Sequence, residues 1–151
     1  MTQPLSPDHR PILRLQLAIE QASLAHLAEA IEAIGDEEGW NPTLSFQIDL
    51  VLEELVQNVI AYGYPDGRKG EVFVSIDDLG GVLRLVVEDD GNAFDPLGLP
   101  VPDVEASIAD RNIGGLGIHF ARTLTDAQNY RRVNGRNCVE LIKRYSDGSI
   151  E

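Results

Sequence analysis

The chain lacks most of the residues from which familiar catalytic and metal sites are built. A single cysteine, Cys138, among 151 residues excludes an internal disulfide, and no Cys/His spacing is suited to zinc. It sits in a strand-like run and reads as small core filling. Basic residues are scarce too: 12 Lys and Arg face 25 Asp and Glu, a formal net charge of −13. That balance opposes attraction to a phosphate backbone, so nucleic acid is not expected as a direct partner. No apolar run reaches membrane-spanning length, and Met1-Thr2-Gln3-Pro4 does not begin a signal peptide. A cytoplasmic protein with no membrane partner is expected. Nor is there any Gly-x-x-x-x-Gly-Lys-Ser/Thr sequence, so phosphates must be held without a P-loop.

What is present is enough for one domain with a single two-layer core, since 43% of the residues are hydrophobic. Residues 1–9, with Pro4 and Pro7, read as a disordered lead-in, 10–145 as the domain and 146–151 as a frayed tail. Leu13, Leu15, Leu17 and Ile19 alternate along a strand. A helix follows from Ser23, with Leu24, Leu27, Ile31 and Ile34 on one face, and stops between Gly35 and Gly39; Trp40 is expected to fold back as a local staple. Val72, Val74 and Ile76, a turn at Asp78-Leu79-Gly80-Gly81 and a strand over 82–88 form a hairpin. Residues 97–112 have no period and read as a loop with one short helix around 104–109. Leu116, Phe120 and Leu124 mark a third helix, and 128–133, Asn134-Gly135 and 138–145 a second hairpin. The order predicts an α+β two-layer sandwich, a mixed, mostly antiparallel five-stranded sheet with three helices on one face.

The stretch that organises the chain is the helix between these halves. Asn41 suits its N-cap and Pro42 its first position, while Gly63, Pro65 and Gly67 end it. Ile48, Leu52, Leu55, Val59 and Tyr62 form its buried stripe. Glu54 and Asn58 stack one turn apart beside Val51 and Ala61, on a face that is only half wet. Alone, such a pair is an ordinary surface decoration. Two glycine-bearing stretches downstream change its meaning: Asp89-Asp90-Gly91 after a strand, and Gly114-Gly115-Leu116-Gly117 opening a helix, where free N–H groups and the dipole favour an anion.

In that order, Glu54-x-x-x-Asn58, Asp89-x-Gly91 and Gly115-x-Gly117 resemble the three boxes of the Bergerat ATP-binding fold, which gyrase, sensor histidine kinases and anti-sigma factor serine/threonine kinases share. The chain most resembles the last group, the RsbW-like proteins. The resemblance spans roughly residues 10–145 and includes Tyr62-Gly63-Tyr64-Pro65 and Phe94-Asp95-Pro96, although the family often carries histidine where Tyr62 stands. It implies that Asp89 accepts a hydrogen bond from the adenine amine and that Gly91 lets the ring approach. Asn58 would give an oxygen to Mg2+, and Glu54 would be the general base. Gly114, Gly115, Leu116 and Gly117 would cradle the phosphates of ATP under a lid formed by 97–112, with Arg111 touching the γ-phosphate or a partner. Glu53 and Gln57 are expected to face solvent, and His119 to pack.

The resemblance further implies a homodimeric kinase that phosphorylates a STAS-type anti-sigma factor antagonist and thereby releases or captures a sigma factor. Two alternatives stay open: a non-catalytic module that keeps ATP as a structural ligand for partner capture, and the ATP-binding half of a split histidine kinase.

Overall fold

The computed structural model describes residues 9–98 and 121–145. The lead-in before His9, the lid beyond Gly98 with Arg111, the stretch Gly114 to Gly117, His119 and the tail after Tyr145 lie outside the described residues. Two long helices are present, α1 (Ser23–Glu38) and α2 (Pro42–Tyr62). Residues 121–124, the end of the expected third helix, are helical. The strands are β1 (Arg10–Ala18), β2 (Glu71–Asp78), β3 (Val82–Asp89), β4 (Ala127–Val133) and β5 (Arg136–Arg144), in the sheet order β1-β2-β3-β5-β4.

The signals at the helix ends act as their chemistry requires. The Asn41 side chain accepts a hydrogen bond from the Leu44 amide at 2.8 Å, capping α2 just before Pro42. Gly39 ends α1 at φ +72°, a left-handed conformation that a β-carbon disfavours. The Trp40 amide then bonds back to the Gly35 carbonyl at 3.0 Å, and its indole joins the edge of the core. All four strand pairings are antiparallel, so the sheet is not mixed as the sequence suggested. The reason is topological: β3 runs to β5 across the sheet rather than into a parallel neighbour.

Register explains both the core and the place of the site. Side chains of one parity along each strand share a face, so paired residues form rows across the sheet. Leu13, Ile76, Leu85 and Leu141 make one row, and Leu15, Val74, Val87 and Val139 the next. Against these rows pack Leu27 and Ile31 of α1 and Ile48, Leu52, Leu55 and Val59 of α2, all buried. The third row begins as the others do, with Leu17 and Val72, and then turns polar at Asp89, Asn137 and Arg132.

Candidate functional site

Asp89 closes β3 on the inner face of the sheet and is only 4% exposed. A carboxylate so placed needs donors, and it has two: the Gly91 amide at 2.8 Å and the Asn137 amide nitrogen at 3.0 Å. Both bonds fall on Oδ1, and among the described residues no donor reaches Oδ2. Burial pushes the Asp89 carboxyl above the usual range, partly offset by those two hydrogen bonds.

Asn137, opposite Asp89 in the register and 3% exposed, is the hub that sequence reasoning missed. Its nitrogen also donates to the Asn92 carbonyl at 2.8 Å. Its oxygen accepts from the Tyr130 hydroxyl at 2.6 Å, the Arg132 guanidinium at 3.1 Å and the Phe94 amide at 3.2 Å. Arg132 spans to the Gly91 carbonyl at 2.9 Å, so the turn after β3 is tied to the second hairpin from both sides. The available signal was the strong Asn134-Gly135 turn, which sets the register of β4 on β5.

Gly91 is demanded by the same turn. A β-carbon there would lie 2.6 Å from the Gly63 carbonyl oxygen, which itself accepts a hydrogen bond from the Asn92 amide at 2.8 Å. The glycine therefore lets the end of β3 dock on the end of α2. Asp90 points outward as expected, held by the Tyr64 hydroxyl. That bond, then Arg68, keeps its carboxyl below the usual range. Tyr62, expected in the buried stripe, is 40% exposed, and its ring leans on Phe94 with centroids 5.2 Å apart.

On α2, Asn58 is 1% exposed, and neither atom of its carboxamide has a hydrogen-bond partner among the described residues. Leaving such a group unmet costs about 1–3 kcal/mol. Glu54, one turn back and half-buried, has an unpartnered Oε2, and burial raises its carboxyl above the ordinary value. Glu53 and Gln57 are also half-buried rather than facing solvent. Burial first, and then a hydrogen bond with Asp49, push the Glu53 carboxyl up to about 8.

Asn58, Asp89 and Asn137 meet on one cavity, walled by Val59 and Val87 and on the loop side by Phe94 and Pro96. Glu54 does not line it. The free space is about 10 Å³, room for roughly one water. Its polar groups are Asn58, Asp89 and Asn137, set among aliphatic side chains. Of the predicted residues, the structure thus brings Asn58, Asp89 and Gly91 together and sets Glu54 one turn away. Arg111 and the Gly114 to Gly117 stretch lie outside the described residues.

The family model of the histidine kinase-like ATPase domain matches residues 17–143. The serine/threonine-protein kinase BtrW of Bordetella bronchiseptica is 24% identical over 127 residues, covering 84% of this chain and 89% of the relative. The anti-sigma F factor of Anoxybacillus flavithermus is 31% identical over 113 residues, 68% of this chain and 73% of the relative. The serine-protein kinase RsbW of Bacillus subtilis is 23% identical over 154 residues, 98% of this chain and 85% of the relative.

Proposed function

Because the chain belongs to the histidine kinase-like ATPase family, in its RsbW-like anti-sigma kinase branch, we propose that it is an ATP-dependent serine/threonine protein kinase and anti-sigma factor. It phosphorylates a STAS-type antagonist and thereby sets how much of a sigma factor is free. The observation that carries the reading is the buried Asn58 carboxamide, unmet among the described residues, which lines one cavity with Asp89 and has half-buried Glu54 one turn back on α2.

Adenine is held by its edge. Its exocyclic amine donates to the free oxygen of Asp89, whose other oxygen is already fixed by Gly91 and Asn137. The ring needs more room than the cavity of about 10 Å³ holds, and the wall that would give way is the loop side, Phe94 and Pro96, because the other walls are tied into the sheet and α2. The buried amide oxygen of Asn58 is a hard donor that fits Mg2+, which takes oxygen ligands and keeps several waters. When bound, magnesium offsets charge on the phosphate oxygens. Gly114, Gly115, Leu116 and Gly117 offer backbone N–H groups to the phosphates, and Arg111 adds a counter-charge that an overall charge of −13 otherwise withholds. Glu54 takes the proton from the partner's hydroxyl as its oxygen bonds to the γ-phosphorus and ADP leaves. Burial raises the basicity of that carboxylate, which suits the task. The protein works in the cytoplasm as a homodimer.

The test is transfer of labelled γ-phosphate from ATP to a STAS-type antagonist. Glu54→Ala is expected to slow transfer by about 10²–10⁴-fold while ATP still binds. The wild-type rate should fall on the acid side at a pH above the ordinary glutamate value, because the base must be ionised. Persistent transfer in Glu54→Ala removes that residue from the chemistry. Binding of ATP without transfer in the wild type would leave a partner-capture module.

A further inference from the structure

Away from the nucleotide cavity, α1 and α2 leave an open groove of about 380 Å³ between them. Its floor is tight, because Gly35 brings the helices together: a β-carbon there would lie 2.6 Å from the Ser45 hydroxyl and 3.4 Å from the Trp40 ring. Half-buried Trp40 and exposed Phe46 are the aromatic residues of its lining. Phe46 is 65% exposed, the most exposed large apolar side chain on the described surface. A phenyl ring left in water at the edge of a groove marks a contact surface.

The rim has one sign of charge. Glu32 and Asp36 line it one turn apart on α1 and Asp49 lines it on α2, while no basic side chain does. Three acids outside the groove have cations close by: Glu38 pairs with Arg10, Asp77 with Arg14 and Glu140 with Arg84. Among the described residues, no cation reaches Glu32, Asp36 or Asp49. Asp36 also lies in the last turn of α1, which has no basic residue, where the helix dipole disfavours a negative charge. One oxygen of Asp49 is buried without a partner. Asp49 shares a hydrogen bond with Glu53, and exposed Glu32 and Asp36 are open to a partner's cations.

We propose that this groove docks a basic, amphipathic helical segment of a partner protein, with an apolar side chain seated between Trp40 and Phe46 and arginines or lysines facing Glu32, Asp36 and Asp49. Two antiparallel-packed helices offering an apolar slot between acidic rims are a receptor for a third helix of opposite charge. An arginine at the rim also meets the faces of two aromatic rings.

Trp40 is the chain's one tryptophan, so its emission reports the groove directly. The probe is a synthetic helical peptide with leucine on one face and arginine on its flanks, titrated into the full chain. Saturable change of Trp40 emission is expected in the wild type. Phe46→Ala should weaken binding about 5–10-fold, the loss of one exposed aromatic anchor. Glu32→Lys with Asp36→Lys should weaken it more than tenfold. The same two-charge reversal placed away from the groove, at the exposed Glu20 and Asp66, should leave the affinity as it was. No saturable change, equal affinity in Phe46→Ala, or an equal loss in the distant reversal would each overturn the proposal. None of these readings involves ATP or phosphate transfer, so the kinase assignment stands or falls separately.

Discussion

The two polar places on the inner face of this molecule are built in opposite ways. At the end of the sheet, Asp89 and Asn137 are almost wholly buried, and each is tied to backbone or side-chain partners. On α2, Asn58 is as deeply buried and has no hydrogen-bond partner among the described residues. The first place is held by hydrogen bonds within the chain, and one Asp89 carboxylate oxygen is left without a donor among the described residues. The second is a buried polar group left unmet, which on the proposed function a bound ligand would satisfy. On the proposed function, the sheet end would recognise the base and the phosphate end would be completed by what binds there.

Four substitutions would break or sharpen that contrast. The largest effect is expected from Asp89→Ala, which removes the acceptor proposed for the adenine amine. ATP affinity in calorimetric titration should fall by about 100-fold or more, roughly the 3 kcal/mol of a hydrogen bond to a charged group. Unchanged affinity would mean the base is read elsewhere. Gly91→Ala forces a carbon against the Gly63 carbonyl, and denaturant melts should show a loss of about 1–3 kcal/mol. If stability holds, the turn is looser than its contacts indicate.

Asn58→Leu should run the other way. An apolar side chain of similar size removes the unmet amide, so the ligand-free protein should gain about 1 kcal/mol, some 2–4 °C in Tm. Magnesium-dependent ATP binding should be lost at the same time. A destabilised Asn58→Leu protein would show that the amide is satisfied after all. The smallest effect belongs to Glu53→Gln. With the folded pKa near 8 and the unfolded value near 4.5, the protonated form is the one folding favours. The stabilising contribution is therefore full below about pH 4.5 and is lost as pH rises through 8. The substitution should raise Tm above pH 8 and do nothing at pH 4. Solvent screening of a half-exposed group holds the gain to about 1 kcal/mol or less.

The contrast also divides what was legible in the sequence. Helix α2 announced itself through a strong N-cap, a fixed period and a glycine stop, because those are local events that neighbours along the chain decide. Glu54, Asn58 and Asp89-x-Gly91 were legible as chemistry out of place. Asn137 was not, because its role comes entirely from register: it matters because it faces Asp89 across two strands 48 positions apart in sequence. The antiparallel character of the whole sheet was hidden for the same reason. Glu53 misled because periodicity assigns a side of the helix and not the depth of the neighbouring rim, where Asp49 stands close. Tyr62 continued the apolar period, yet at the end of α2 the core gives way to the loop and the ring turns to Phe94.

The join between β3 and β5 has a consequence for assembly. β1, the two helices, β2 and β3 come from residues 10–89, and the β4–β5 hairpin from 127–144, and the two pieces share a single line of strand pairing. Asp89 stands on one side of that line and Asn137 on the other. A base bound there acts as a rivet through both pieces. At a hundred times its Kd it would add about 2.7 kcal/mol against their parting. Amides of the C-terminal hairpin should then exchange more slowly with solvent when ATP is present, and a protease that cuts between the pieces should release an unclamped chain far faster than a clamped one.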